Sequence, residues 1–316
     1  MSKVVMIIGP TGIGKSRLVQ EYTSKGFVRL NRDEVGGRVS NLIPAIHVTL
    51  KSGNPIVLDN THLTVTDRAD FIAAAKKENV PIEAIYLDTS KEDAQVNIIG
   101  RLMGLGYDPM DLDAINASKH PNVFSSAVHF KHFKLFEKPT KEEGFDRVEK
   151  VHFERLPQSA EYRNKALILD YDGTLRKTKS GNKYPTTPDD IEILPGRSDV
   201  LQRFQSDGWL LLGASNQSGV AHHNPTMAVA KECFQKTNNL MGVDIEFEFC
   251  PHKSGPIVCW CRKPMPGIGI HFIEKHKLDK GQTIMIGDMK TDETFANRVG
   301  IQYRDAEDFF SGGGKI

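Results

Sequence analysis

Short apolar runs alternate along this chain with longer segments in which apolar residues recur at helical spacing. In the first half, the predicted strands are residues 4–8, 55–58, 83–87 and 145–153, and the predicted helices are 15–23, 66–78 and 91–103. In the second half, the predicted strands are 166–169, 210–214, 245–249 and 283–286, and the predicted helices are 197–207, 225–241 and 266–276. Because strands separated by helices pair in parallel, this pattern predicts two doubly wound parallel-sheet α/β domains.

A polar stretch that contains Pro157 separates the two series. We predict a linker at residues 156–165, between a first domain at 1–155 and a second at 166–316. The length agrees with two domains, because a single core rarely serves 316 residues.

Composition mainly excludes classes of protein. Apolar residues make up 39% and charged residues 26% of the chain, as in globular proteins. No apolar run reaches the roughly 18 residues of a membrane span, and the N-terminus lacks the pattern of a secretion signal, so we expect no membrane partner and a cytoplasmic location. The net charge is +1 and nearly balanced in each half, which excludes a long electrostatic track for nucleic acid. Three of the four cysteines fall within twelve residues, which indicates a metal site rather than disulfides.

The first predicted strand runs into a phosphate-binding pattern. Gly9-x4-Gly14-Lys15-Ser16 lies between that strand and the next helix, where this pattern binds nucleoside triphosphates. Gly9, Gly12 and Gly14 let backbone N–H groups turn onto phosphates beside the helix N-terminus. Lys15 should contact the β and γ phosphates of ATP, and the Ser16 hydroxyl should bind Mg²⁺. The pattern leaves the phosphate acceptor open.

The acceptor is suggested by "LNRDEVGGRVS" at residues 30–40. Asp33 follows a candidate short strand, at the edge of the sheet where α/β proteins bind ligands. A carboxylate there can take the proton of an attacking hydroxyl. An aspartate that caps a helix N-terminus is the alternative, and the residues alone leave both open.

Three segments together resemble the kinase domain of the polynucleotide kinase-phosphatases. They are "NRD" at 31–33, "VLDNTHL" at 57–63 and "FEKPTKEEGF" at 136–145. The resemblance implies that Asp33 is the general base for a 5′-hydroxyl and that Asp59 acts near Mg²⁺ or the acceptor. It also implies that Arg101, in a lid-like stretch, binds the donor phosphates and that Arg38, at a changed spacing, binds the acceptor phosphate.

A basic stripe follows in the same half of the chain. Lys131, Lys134 and Lys138 recur at helical spacing opposite two phenylalanines. A solvated helix face and a patch that binds a nucleic-acid strand are both open readings.

The strand at 166–169 runs into two aspartates. In Asp170-x-Asp172-Gly173-Thr174, side chains at i and i+2 point to the same face of the strand, so two carboxylates share one pocket. The motif resembles motif I of the haloacid dehalogenase superfamily of phosphatases. The resemblance implies that Asp170 attacks phosphorus to form an aspartyl phosphate and that Asp172 is the general acid and base.

Later motifs of the same superfamily follow in order. The resemblance implies that Ser215 and Asn216 hydrogen-bond the transferring phosphoryl group and that Lys263 stabilises the phosphoaspartate. Carboxylates beside a phosphate repel it, so the site needs a cation. The predicted Mg²⁺ ligands are Asp170, Asp172, Asp288 and Asp292.

A cysteine- and histidine-rich segment precedes the predicted lysine. Cys250-x-His252 and Cys259-x-Cys261 supply four ligands that match tetrahedral zinc. The arrangement resembles the zinc loop of heptose-bisphosphate and histidinol-phosphate phosphatases, in which the ion is structural. A closed four-ligand site leaves no position for a water, so we do not expect catalysis by the zinc. Free cysteines that fall together by chance are the alternative.

These motifs together predict a nucleic-acid end-healing enzyme. Its kinase would phosphorylate 5′-hydroxyl ends of DNA or RNA with ATP, its phosphatase would remove 3′-phosphates, and a ligase would act downstream. The alternative is a sugar or metabolite kinase fused to a heptose- or histidinol-type phosphatase, which the zinc loop favours and the kinase segments oppose. A nucleotide-binding regulatory module without turnover is disfavoured, because every catalytic position is filled.

Overall fold

The computed structural model describes residues 2–316, and this part of the chain falls into two compact units. The first unit comprises the chain up to Ile98, Lys119–Asn122 and Ala127–Arg155, and the second comprises Ile99–Ser118, Val123–Ser126 and Leu156–Ile316. The chain passes between the units after Arg155, next to the predicted linker. Residues 99–118, which the sequence places in the first domain, cluster instead with the second unit.

The chain up to His152 alternates strands and helices. Its strands are β1 (Val4–Ile8), β2 (Val28–Leu30), β3 (Ile56–Asp59), β4 (Ile82–Asp88) and β5 (Arg147–His152). Its helices are α1 (Lys15–Ser24), α2 (Arg32–Val35), α3 (Leu42–Lys51), α4 (Val65–Lys77), α5 (Lys91–Gly104), α6 (Leu112–Ala117) and α7 (Ser126–Leu135).

A parallel sheet with the order β2-β3-β1-β4-β5 forms the centre of the first unit. Every residue of β1 is buried, because side chains of a strand point alternately to the two faces and both faces carry a core. Val4, Met6 and Ile8 pack with residues of α3 and α4 on one face, whereas Val5 and Ile7 pack with residues of α1 and α5 on the other. Burial on both faces explains why β1 is a continuous apolar run.

The chain from Asn164 builds the second sheet. Its strands are β6 (Asn164–Leu169), β7 (Arg176–Thr178), β8 (Ile191–Ile193), β9 (Leu210–Asn216), β10 (Glu246–Cys250), β11 (Leu278–Gly287) and β12 (Gln302–Asp305). Its helices are α8 (Arg197–Ser206), α9 (Met227–Met241), α10 (Gly267–His276), α11 (Lys290–Val299) and α12 (Ala306–Ser311).

The main sheet of the second unit is parallel, with the order β10-β9-β6-β11-β12. β7 and β8 form a separate antiparallel pair. Because the strands of the main sheet are parallel, the segments that follow β6, β9, β10 and β11 leave it at the same edge. The predicted class of two doubly wound parallel-sheet domains is confirmed.

Most predicted strand and helix boundaries lie within about two residues of those in the structure, as expected of boundary assignments. The exception is β11, which begins at Leu278 rather than 283, because its polar first half still pairs with β6 across an irregular register. Helices α3 and α11 and the short elements α2, α6, β7, β8, β12 and α12 were not predicted. Residues 156–163 contain no helix or strand.

None of the helices described within residues 2–316 is long and apolar enough to cross a membrane. The expected cytoplasmic location stays a prediction.

Candidate active sites

The loop between β1 and α1 has the geometry of a phosphate cradle. Gly14 is the N-cap of α1 in a left-handed conformation, with φ at 95°. Gly12 also has a positive φ, and a Cβ there would lie 2.5 Å from the Ala94 carbonyl oxygen, so only glycine fits. The side chain of Asn97 donates to the Gly12 oxygen at 2.7 Å, which holds the loop from α5. The loop and the positive end of α1 therefore suit the phosphates of ATP.

The side chain of Lys15 lies within this loop. Its ammonium donates to the backbone oxygens of Gly9 at 2.7 Å and Pro10 at 2.6 Å. Ser16 follows it in the first turn of α1 and is exposed. The predicted nucleotide-binding residues, Gly9, Gly12, Gly14, Lys15 and Ser16, thus all lie in the loop or the first turn of α1.

Asn31 joins the two carboxylates predicted for the acceptor side. Its side-chain oxygen accepts from the Asp33 backbone N–H at 2.7 Å and so caps α2. Its amide donates to the Asp59 backbone oxygen at 2.6 Å and to the Asp59 carboxylate at 3.2 Å. The helix cap is therefore Asn31 and not Asp33, whose exposed carboxylate pairs with Arg32 at 2.5 Å. That carboxylate is accessible to a hydroxyl from solvent.

Arg29 is a residue that the sequence analysis missed. Its guanidinium holds the nearly buried Asp59 carboxylate with contacts of 2.9 and 2.5 Å, and it also pairs with Glu34. The parallel pairing of β2 with β3 brings the ends of both strands to one edge of the sheet and so brings Arg29 to Asp59. Arg38 is exposed just before a 3-10 turn at Val39–Asn41.

The remaining basic residues of the kinase prediction are placed as follows. Lys131 and Lys134 are exposed on α7, but this helix ends at Leu135, so Lys138 lies beyond it and the predicted three-residue stripe is not continuous. Arg101 lies on α5, one turn after Asn97, in the segment that clusters with the second unit. Its guanidinium lies over the Phe124 ring, 5.5 Å from the centroid.

The second site begins at the C-terminal end of β6. Asp170 follows the strand, and its backbone N–H still bonds to the Ile286 oxygen at 3.0 Å, as in the sheet. Tyr171 points to the opposite face, where it is buried and donates to Asn238 at 2.9 Å. Gly173 has a φ of 92°, and a Cβ on it would lie 2.4 Å from the Asp288 carboxylate, so this close approach also requires glycine.

The Asp170 carboxylate lies in a cluster with two further carboxylates and one ammonium group. Asp170, Asp288 and Asp292 each offer an oxygen within 4.8 Å of the others. The Lys263 ammonium, which is 3% exposed, contacts Asp170 and Asp292 at 2.7 Å each. Burial raises the pKa of the Asp170 carboxyl to about 7, against the opposing attraction of Lys263. Burial alone would lower the pKa of Lys263, but the two carboxylates raise it, so the lysine stays charged.

This donor set suits Mg²⁺, which prefers carboxylate oxygens, because three carboxylates gathered within 4.8 Å repel one another and need a positive charge. Asp172 is not part of the group of three, although it was among the predicted ligands. Its carboxylate instead accepts from Arg176 Nε and from Gln217 Nε2, at 2.8 Å each.

Arg176 and Gln217 are further residues that the sequence analysis missed. Arg176 is fully buried, and its guanidinium also donates to the Cys233 oxygen and the Thr237 hydroxyl at 2.8 Å each. Gln217 donates to Ser215 Oγ at 3.0 Å as well as to Asp172. The two residues fix the orientation of the Asp172 carboxylate. Gln217 directly follows the predicted Ser215-Asn216 pair, so its position in the sequence could have indicated that it belongs to the same site.

The predicted phosphoryl-binding pair takes two different positions. Ser215 is buried at the end of β9, beside Gln217. The Asn216 side chain exchanges two hydrogen bonds of 2.9 Å with the backbone of Lys263, one in each direction. Asn216 therefore orients the loop that carries Lys263, because both polar atoms of its amide are engaged there.

The four predicted zinc ligands lie together. Cys250 ends β10, and its sulfur is 3.7 Å from that of Cys259 and 3.4 Å from His252 Nδ1. The same histidine nitrogen is 3.2 Å from the Cys261 sulfur, and all four ligand atoms lie within 4.8 Å of one another. Tetrahedral zinc with Zn–S bonds of about 2.3 Å places two sulfurs about 3.8 Å apart, so the residues fit this metal.

Family models match both parts of the chain. One described as "AAA domain" matches residues 4–115, and one described as "Polynucleotide kinase 3 phosphatase" matches residues 165–310. A probable D-glycero-D-manno-heptose-1,7-bisphosphate 7-phosphatase from Thermoplasma volcanium is 34% identical over 44% of this chain and 97% of its own length.

Two further proteins resemble the chain. The bifunctional polynucleotide phosphatase/kinase of Schizosaccharomyces pombe is 30% identical over 49% of this chain, which spans only 34% of the yeast protein. A chain from a solved Pnkp1/Rnl/Hen1 complex aligns over 96% of both lengths, with 14% identity and a TM-score of 0.34. The chain therefore belongs to the haloacid dehalogenase phosphatases, through a domain shared with the heptose-bisphosphate 7-phosphatases and the polynucleotide kinase 3 phosphatases, and it carries an AAA-type P-loop kinase domain on the N-terminal side of that domain.

Proposed function

We propose that this chain heals the ends of nucleic acids, phosphorylating 5′-hydroxyls with ATP and removing 3′-phosphates. The observation that carries the proposal is the presence, on one chain, of a P-loop kinase domain and a domain matched by the polynucleotide kinase 3 phosphatase family. The two products, a 5′-phosphate and a 3′-hydroxyl, are the ends that a ligase joins, so a ligase would act next.

In the phosphatase, Asp170 is the proposed nucleophile. Its carboxylate attacks phosphorus, the bond from phosphorus to the 3′-oxygen breaks, and that oxygen takes a proton from Asp172. Water then attacks the aspartyl phosphate, Asp172 takes the proton of this water, and inorganic phosphate leaves with Asp170 restored. Lys263 lies 2.7 Å from the nucleophile and offsets the negative charge during both steps.

Magnesium bound by Asp170, Asp288 and Asp292 would reduce the repulsion between these carboxylates and the incoming phosphate. Arg176 and Gln217 would keep Asp172 out of the metal cluster and orient its carboxylate toward the leaving oxygen. Asn216 would act through the Lys263 loop, and Ser215 would support Gln217.

In the kinase, Asp33 is the proposed general base. The 5′-oxygen attacks the γ-phosphorus of ATP, the bond to the β–γ bridging oxygen breaks, and Asp33 takes the hydroxyl proton. The glycine loop, Lys15 and Ser16 would hold the triphosphate with its magnesium, and Asp59 would help to position the acceptor. Arg38 stays a predicted contact of the acceptor phosphate.

A small-molecule phosphatase is the second candidate function. The identity to the Thermoplasma heptose-bisphosphate phosphatase, which extends over 97% of that protein, favours it, as does the zinc-ligand cluster. A zinc-ordered loop does not by itself select a small substrate, because it can also border a groove for a chain end.

Substrate competition at matched concentrations separates the two. The panel comprises a 3′-phosphorylated oligonucleotide, a 3′-mononucleotide, heptose bisphosphate and histidinol phosphate, with Asp170→Asn as the inactive control. We expect the oligonucleotide to have the highest kcat/KM, with little gain beyond the last few nucleotides and a shallow salt dependence, since the chain carries a net charge of only +1. A sugar or histidinol phosphate favoured by about a hundredfold, or about 2.7 kcal/mol, would exclude the end-healing proposal for this domain.

The kinase is tested in the same way. Labelled ATP is offered with a 5′-hydroxyl oligonucleotide or with a panel of sugars, and Asp33→Ala is the control. Transfer to a sugar and not to the oligonucleotide would favour a sugar or metabolite kinase fused to the small-molecule phosphatase.

A further inference from the structure

The loop that follows β3 connects two parts of the candidate kinase site, and it lies entirely within the first unit. The Asn60 side-chain oxygen accepts from the Arg32 backbone N–H at 3.4 Å, next to the proposed base Asp33. The Thr61 backbone oxygen accepts from the Gly9 N–H at 2.9 Å, at the start of the phosphate loop. The loop after β3 therefore extends from the acceptor side of the site to the loop that suits the phosphates of ATP.

His62, the next residue of this loop, has an imidazole that is enclosed by protein. The residue is 2% exposed, and neither ring nitrogen has a hydrogen-bond partner within residues 2–316. The ring packs edge-on against Phe71 of α4, with the centroids 4.9 Å apart. The backbone of His62 has a φ of 46°, which residues other than glycine rarely adopt. Both the unpaired nitrogens and the positive φ destabilise the ligand-free fold, and both are typical of ligand sites.

The imidazole of His62 lies near the Lys15 ammonium. Burial lowers the pKa of His62 to about 3, and among the neighbouring charges Lys15 contributes most to this shift, more than Arg68. Arg68 is itself close, because its guanidinium donates to the His62 backbone oxygen at 3.0 Å. The imidazole is therefore neutral at physiological pH, with one nitrogen that can donate and one that can accept. It lies beside the cation that is expected to contact the β and γ phosphates.

The γ-phosphoryl group of ATP is the ligand that fits this position. During transfer it must lie between the phosphate loop and the acceptor hydroxyl, and the loop after β3 passes from one to the other. Thr11 Oγ1 in the phosphate loop and Asn60 Nδ2 in the loop after β3 are also buried without a partner among the described residues. A neutral N–H donor can bond to a phosphate oxygen without adding a second positive charge beside Lys15.

We propose that His62 donates a hydrogen bond to the γ-phosphoryl group and is a further catalytic residue of the kinase, one that distinguishes ATP from ADP. The proposal rests on the proposed kinase function, because it requires a nucleoside triphosphate in the phosphate loop. One N–H of the neutral ring bonds to a nonbridging oxygen, and no proton is transferred. Because the charge on these oxygens is stabilised before and during transfer, His62 should affect both the binding of ATP and the rate.

The test measures nucleotide binding apart from turnover, in the full-length chain with magnesium and without an acceptor. The ratio of the Kd for ADP to the Kd for ATP reports contacts with the γ-phosphate, since only ATP carries that group. His62→Phe keeps a ring against Phe71 and removes both nitrogens. His47→Phe is the matched control, because His47 is a partly buried histidine of the same unit whose Nδ1 already contacts Glu78 at 2.7 Å.

We expect His62→Phe to lower this ratio about tenfold, as for the loss of one hydrogen bond to a charged group, and to lower kcat/KM for transfer at least as much. His62→Asn or His62→Gln should restore most of the ratio, because their amide nitrogens approximate the positions of Nδ1 and Nε2. His47→Phe should change the ratio by less than about twofold. The urea midpoint of the first unit should fall less in His62→Phe than in His47→Phe, because the His62 ring has no hydrogen bond within residues 2–316 to lose.

An unchanged ratio in His62→Phe would overturn the proposal, as would an equal loss of affinity for ATP and ADP. Failure of both amide variants to restore the ratio, or a wild-type chain that binds neither nucleotide, would also overturn it. If the wild-type chain binds ATP but transfers no phosphate to any acceptor, the proposed kinase function fails independently. The binding ratio then decides the contact: a tenfold fall in His62→Phe supports it, and an unchanged ratio overturns it.

Discussion

Arg68 forms a buried ion pair with Glu143 in the first unit, and its replacement tests how this unit is held together. The side chain is fully buried, and its guanidinium donates two hydrogen bonds to the Glu143 carboxylate, at 2.6 and 2.8 Å. It also donates to the backbone oxygens of His62, Leu63 and Glu137, at 3.0, 3.3 and 3.0 Å. Arg68 thereby joins the turn after β3 to the segment that precedes β5.

Arg68→Met should destabilise the first unit strongly. The change keeps an apolar stem, removes all five hydrogen bonds and leaves the Glu143 side chain, 5% exposed, without a counter-ion. Removing one partner of a buried ion pair costs about 3–5 kcal/mol, and the loss of the bonds to the His62 and Glu137 backbone oxygens places the cost near the upper end. Such a loss is a large part of a typical domain stability of about 5–15 kcal/mol.

The matched control is Arg17→Met. Arg17 pairs with Glu21 at 3.7 Å, but the two side chains are 65% and 49% exposed, so the loss should stay below about 1 kcal/mol. Hydrogen exchange at increasing urea is the suitable assay, because it follows each unit separately in a chain that need not unfold in one step. The kinase activity of Arg68→Met should fall with the stability of its unit, and the phosphatase kcat/KM should stay within about twofold.

A second substitution tests the assigned cause. In the Arg68→Met background, Glu143→Leu removes the uncompensated charge and should restore about 1–3 kcal/mol. A loss below about 1 kcal/mol for Arg68→Met, or a double variant less stable than the single one, would refute the reasoning.

Asp33→Ala should abolish phosphoryl transfer from ATP and spare the phosphatase, and Asp170→Asn should do the reverse; loss of both activities in either folded variant would contradict two separate sites. Both reactions should require magnesium, whereas about one zinc per chain should survive dilution and be found by elemental analysis. Cys259→Ser should lose that zinc and stability, and Cys233→Ala, outside the ligand set, should keep the zinc. In metal-free protein, burial raises the pKa of Asp170 to about 7, so between about pH 4 and 7 the folded chain holds a proton that the unfolded chain releases. As the pH rises through that range, the free energy of unfolding should therefore fall by about 1.4 kcal/mol per pH unit. Urea titrations at several pH values measure this slope, and a slope that Asp170→Asn leaves unchanged would disprove this account.

The sequence alone determined the features that depend on near neighbours along the chain. Apolar runs marked the buried strands, because a strand covered on both faces has no polar side to present. The spacing of Asp170 and Asp172 placed two carboxylates on one face of a strand end, and the glycine pattern before Lys15 marked a loop that needs positive φ. The two pairs of zinc ligands were readable from their spacing for the same reason, since each pair is local.

Only the tertiary structure decided which distant side chains support these motifs. Lys263 contacts Asp292 as well as the expected Asp170, Arg29 holds Asp59 on the next strand, and Gln217 and Arg176 orient Asp172. These contacts follow from the strand order and register of two parallel sheets, in which neighbours in space are separated by whole helices in sequence.

The same reason explains the placement of residues 99–118. Their helical spacing was predicted correctly in α5, but periodicity describes one element at a time and carries no information on which unit that element packs against. The bond from Trp260 to Phe124 joins positions 136 residues apart, and it exists because the paths of two loops meet. The sequence therefore determined the chemistry that depends on near neighbours, whereas contacts between residues far apart in sequence were decided only by the folded chain.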